Sequence, residues 1–165
     1  MPVAPGQLAY AADIPIENIP LVRLVQTTAQ TALPTGDYVL TFPAGSEEID
    51  TDGFHDDVTN NSRVTPNVPG YYEISCKAVL AFSSTVTSLH SFIRKNGVVW
   101  ERGGNMKPAA VNINTGAPTV VTFIACNGTT DYFEGGVSFA ATANQATNVV
   151  PGSSSTLQAK YLRPL

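Results

Sequence analysis

Apolar and polar residues alternate with a period of two along much of this chain, most clearly over residues 69–82. Behind a Pro69-Gly70 turn, Tyr72, Ile74, Cys76, Ala78, Leu80 and Phe82 fall on one side. Tyr71, Glu73, Ser75 and Lys77 fall on the other. Successive side chains of a strand point to opposite faces, so the pattern predicts a long strand with one apolar and one mostly polar face. Such a strand needs neighbours for its backbone groups and a second layer against its apolar side.

The same period predicts further strands over residues 21–28, 37–42, 119–126, 131–139 and 156–163. Residues 87–95 are expected to return antiparallel to the long strand. Asn96-Gly97 then forms a tight hairpin into residues 98–102, because both central positions of that turn need positive φ. Leu33-Pro34-Thr35-Gly36, Gly103-Gly104 and Asn127-Gly128 mark other turns. No stretch keeps a helical period. Eight to ten short antiparallel strands imply an all-β sandwich, and the regular closing strand, with Leu157, Ala159 and Tyr161 on one face, points to a jelly roll.

Residues 1–20 differ from the rest. Prolines at 2, 5, 15 and 20 oppose both helix and central strand, yet Leu8, Tyr10, Ile14, Ile16 and Ile19 are too apolar for a solvated tail. The expected organisation is an extended anchoring arm over 1–20 and one sandwich domain over 21–165, a length that supplies a full core.

Charged residues make up only 13% of the chain while apolar residues reach 43%, so Thr, Ser, Asn, Gly and Pro replace charge. That suits turn-rich β-structure and a surface covered by partners. A net charge of −4 argues against nucleic acid, which calls for a basic face. No apolar run approaches the roughly 20 residues of a membrane span. The N-terminal residues carry neither a cationic segment nor an apolar core of a secretory signal, so synthesis in a cytoplasm is expected. Cys76 and Cys126 sit within apolar strand patterns and are read as unpaired core thiols.

Candidate chemistry is sparse. Asp50 and Asp52 begin a spacing like that of a calcium loop, but Gly53 comes too early and no Glu closes it. Residues 47–57 are therefore read as a solvated acidic loop, with an irregular cation site as the alternative, and His55 as structural. Neither His55 nor His90 lies in a motif with a Ser or Cys nucleophile, so no catalytic residue is assigned and no enzyme is expected.

Pro69-Gly70-Tyr71-Tyr72 before an alternating strand, followed by Arg94-Lys95-Asn96-Gly97, resembles the globular heads of complement-type proteins in the tumour-necrosis-factor jelly-roll superfamily. Asn127 to Tyr132 resembles that superfamily's turn into its penultimate long strand, and residues 156–162 its last one. The low charge, the Pro-rich leader and Gly53-Phe54-His55-Asp56 resemble versions found in virion proteins of tailed bacteriophages. The resemblance implies a compact homotrimer with the polar sides of two strands turned to the threefold axis: Tyr71, Glu73, Ser75 and Lys77 from one, Gln158 and Lys160 from the other. Some members bind calcium near that axis; no matching cluster of acids stands here, so neither metal nor cofactor is expected.

The function this implies is a non-enzymatic capsid decoration protein, docked to the major capsid protein or another virion component by Leu8, Tyr10, Ile14, Ile16 and Ile19. It would assemble in the host cytoplasm and reside on the virion. The alternative is the receptor-binding tip of a tail or head fibre, touching host glycan or protein through loops 43–61, 103–118 and 140–155.

Overall fold

The computed structural model describes residues 19–107, 114–147, 149 and 154–165. Among the described residues all regular structure is strand, in thirteen pieces. These are β1 (Leu21–Val25), β2 (Gly36–Val39), β3 (Glu47–Asp50), β4 (Arg63–Val64), β5 (Gly70–Lys77), β6 (Val79–Ala81) and β7 (Val86–Lys95). β8 (Val98–Arg102), β9 (Asn114–Gly116), β10 (Val120–Cys126), β11 (Phe133–Ala141), β12 (Ala146–Thr147) and β13 (Thr156–Arg163) complete them. The number exceeds the expected eight to ten because β4, β6, β9 and β12 are pieces of two or three residues.

Every pairing is antiparallel. One sheet runs β10-β5-β13-β1-β3; a second runs β2-β11-β7-β8, with β4 also on β11; a small third runs β12-β6-β9. Val22, Leu24, Tyr72, Ile74, Cys76, Ile124, Leu157 and Ala159 of the first sheet meet Leu89, Ile93, Phe133, Val137 and Phe139 of the second in one core. Sandwich and closing strand are as the alternation implies.

Two expectations are corrected. The long strand is not continuous to Phe82: it breaks at Ala78, and β6 passes into the small sheet. Side-chain hydroxyls take over the ladder there, Ser91 Oγ accepting from the Ala78 amide at 3.1 Å and Ser155 Oγ from Val79 at 2.9 Å. Residues 87–95 do not pair with the long strand either. β7 pairs with β11 and β8 in the opposite sheet, which lets Leu89 and Ile93 close over the apolar side of β5.

Smaller shifts follow the same logic. β1 stops at Val25 because buried Gln26 turns aside to hydrogen-bond Gln30 Oε1 at 2.9 Å. The acidic stretch begins as an edge strand, β3 on β1, before becoming a loop. In that loop Phe54 enters the core, and the Asp50 carboxylate accepts from the amides of Phe54 and His55, each at 3.0 Å. The Asn96-Gly97 hairpin is as expected, with φ of 51° and 78°.

Cys76 and Cys126 are free and buried. They lie on paired strands, but Cys76 faces Val120 and Cys126 faces Gly70, six positions apart along the ladder. At about 3.3 Å per residue that separation is far beyond disulfide reach.

Candidate subunit interface

The outward side of the first sheet gathers the six residues singled out for an axial face. Tyr71, Glu73, Ser75 and Lys77 are half-buried and alternate with the core-facing Tyr72, Ile74 and Cys76 along β5. β13 pairs directly with β5, setting Gln158 opposite Ser75 and Lys160 opposite Glu73. Strand alternation put each residue on its side; only the β5–β13 pairing, across about eighty residues of sequence, brought the two groups together.

The register extends the face into rows. Phe123, Glu73, Lys160 and Leu21 form one; Val121, Ser75, Gln158, Arg23 and Ile49 form the next. Phe123 is 63% exposed and Val121 51%. Sequence reasoning missed these two, although the signal was present: residues 119–126 are apolar on both sides, and the sandwich covers only the side carrying Val120, Ile124 and Cys126. The face thus has an uncovered apolar margin beside a charged centre. Exposed apolar side chains grouped in this way on a sheet face are candidates for a contact surface.

The charges of this face are incompletely paired. Arg23 Nε engages the Glu48 carboxylate at the margin. Among the described residues, Glu73, Lys77 and Lys160 take part in none of the four ion pairs. Arg163 lies over the Tyr71 ring, 4.6 Å from its centroid. The arm residues Leu8, Tyr10, Ile14 and Ile16 lie outside the described residues; Ile19, just before β1, is half-buried.

The outer side of the second sheet is built differently. Phe92 points away from the core yet is wholly buried, its ring lying where a side chain on Gly136 would stand: a Cβ there would meet Phe92 Cζ at 2.1 Å. The Arg94 and Arg102 guanidiniums lie over the same ring, 4.9 and 5.6 Å from its centroid. Arg102 Nη2 donates to Asp37 Oδ2 at 2.8 Å, and Nη1 lies 2.9 Å from His90 Nε2. The hydrogen bond from Arg102 holds the Asp37 carboxyl below its ordinary range. Burial, and then the Arg102 charge, pushes His90 down.

Both imidazoles are thus committed to structural partners. His55 spans two backbone carbonyls, Nδ1 at 2.9 Å from Arg63 O and Nε2 at 2.8 Å from Phe42 O. Burial pushes the Cys76 thiol up to about 12 and raises Cys126 as well, so both behave as core thiols rather than nucleophiles.

No protein-family model matches the sequence, and no curated protein matches it. Solved structures do resemble the fold. Crystal structures of murine APRIL at pH 8.0 and pH 5.0 superpose with TM-scores of 0.61 and 0.62, at 10% identity, over 88% of this chain and 100% of theirs. The Eiger TNF structure from S. frugiperda superposes with a TM-score of 0.51 at 10% identity, over 89% of this chain and 94% of that one. The fold is a jelly roll of the tumour-necrosis-factor type.

Proposed function

We propose that this chain is a non-enzymatic structural protein of a tailed-bacteriophage particle, a homotrimer that decorates the capsid and is held there by residues 1–20. The observation that carries the assembly is the outward face of β5 and β13. Among the described residues Glu73 and Lys160 form no ion pair, and they stand beside exposed Phe123 and Val121. A neighbouring copy would supply both the missing counter-charges and an apolar cover. Charges that are buried without partners are costly, so copies that meet here must interlock them.

The virion role draws on composition. Low charge, the Pro-rich apolar arm and the resemblance carried by residues 53–56 support it. Three arms on one trimer bind by effective concentration, so a weak individual arm suffices. Sedimentation of the full chain should give a species of three 17.4 kDa subunits. A chain lacking residues 1–20 should remain trimeric and lose binding to particles. A monomeric full chain, or a truncated chain that still decorates capsids, would overturn the proposal.

A second reading, the receptor-binding tip of a fibre, is favoured by the free edge strand β8. There Val98 is 71% exposed, and Trp100, skipped by the register with β7, is 54% exposed. Host-cell binding by the isolated trimer would select it over decoration.

A further inference from the structure

The outward side of the first sheet also holds a cleft of about 100 Å³, lined by Arg23, Val25, Glu48, Lys77, Ser154 and Thr156. The register explains how it forms. Thr156 lies between Lys77 on β5 and Val25 on β1, so these three stand side by side on one face. Arg23, two residues before Val25, shares that face, and its pairing with Glu48 makes one wall.

The donors of the cleft exceed its acceptors. Glu48 is already engaged by Arg23 Nε, and Arg23 Nη1 reaches Gln158 Oε1 only at 3.4 Å. Lys77 has no ion pair or hydrogen bond among the described residues. Two cations against one carboxylate leave the cleft with a net positive charge inside a chain of net −4. An ammonium, a guanidinium with spare N–H groups and the hydroxyl-bearing Thr156 converge on a space that holds several waters.

We propose that this cleft binds a free tetrahedral oxyanion, phosphate or sulfate. Lys77 and Arg23 supply the charge and the Thr156 hydroxyl a further hydrogen bond. Four oxygens directed to separate corners match donors arriving from two strands and a side wall, whereas a planar carboxylate would use fewer of them. The site is built from one chain; Lys77 also belongs to the face proposed above for assembly, and here a bound anion rather than a neighbouring copy supplies its counter-charge.

Titration of the isotopically labelled full chain with sodium phosphate at constant ionic strength, followed by amide NMR, tests it. Parallel titrations use sulfate and acetate. Saturable shifts at Lys77, Thr156 and Val25 are expected with phosphate or sulfate, at least tenfold weaker with acetate. Lys77→Gln should weaken phosphate binding tenfold or more, and Lys107→Gln, outside the cleft, should leave it unchanged. Should Lys77→Gln disturb the fold, Thr156→Val provides the second variant, with binding weakened severalfold. Absence of saturable shifts, equal binding of acetate, or undiminished binding by both cleft variants would overturn the inference. A monomeric wild type that still binds phosphate would overturn only the assembly.

Discussion

Lys160 stands directly opposite Glu73 across the β5–β13 ladder, and the two form no ion pair. Opposed residues of an antiparallel pair are close enough to interact, yet neither charge is engaged by the other.

Charge exchange at this pair provides a direct measure of assembly. Glu73→Lys and Lys160→Glu should each raise the concentration needed for trimer formation about tenfold, or roughly 1.4 kcal/mol. The double variant, which restores one charge of each sign, should recover most of the loss. Sedimentation across a dilution series reads both effects. Additive losses would mean that the two charges act on assembly independently of each other.

Gly136→Ala should destabilise the fold by about 2 kcal/mol, because the new methyl would occupy the place of the wholly buried Phe92 ring. Urea unfolding checks this. Combining it with Phe92→Leu should cost less than the sum of the two, since the smaller side chain vacates the contact.

Asp131 ties the Asn96-Gly97 hairpin to the turn at residue 127. It accepts from Asn96 Nδ2 at 2.8 Å and from the Asn127 amide at 2.9 Å, and pairs with Lys95 Nζ at 2.9 Å. Burial acts to raise its carboxyl, but these hydrogen bonds and the Lys95 charge outweigh it and hold the group below 3.8. Its contribution is therefore full above pH 4 and lost as the pH falls through the lowered folded value. Asp131→Ala should cost about 1–3 kcal/mol at pH 7, measured by thermal unfolding, and much less in strong acid.

His90 supplies a separate pH dependence. Its lowered folded value means that the unfolded chain binds more protons just below pH 6.5. Stability should begin to fall there, well above the carboxylate range, and His90→Gln should flatten that part of the profile.

Neither thiol should react with a disulfide reagent in the native state, because Cys76 and Cys126 are both about 1% exposed or less and their thiolates are disfavoured by burial. Both should react fully in denaturant. Rapid native labelling of either would mean that the β5–β10 pair opens.

The features legible in the sequence are those decided within a few residues. Asn96-Gly97 adopts its two positive φ values because its own backbone demands them, and Tyr71 parts from Tyr72 because a strand has two sides. Partner choice was less legible. The apolar side runs on past Ala78 to Leu80 and Phe82, and the break there depends on the hydroxyls of Ser91 and Ser155, distant in sequence. The strand over residues 119–126 is apolar on both sides, and only the tertiary structure, in which β10 lies at a sheet edge, shows that Val121 and Phe123 are on the surface among the described residues.

The sequence by itself therefore determined that the fold is all-β, where most of its turns fall and which side of each long strand is apolar, since these follow from local sterics and side-chain alternation. The tertiary structure alone decided that β7 crosses to the far sheet, that β13 brings Gln158 and Lys160 beside Ser75 and Glu73, and that Lys77, Arg23 and Thr156 enclose one cleft. Pairing between strands is set by how two whole sheets cover each other, a condition no single segment carries.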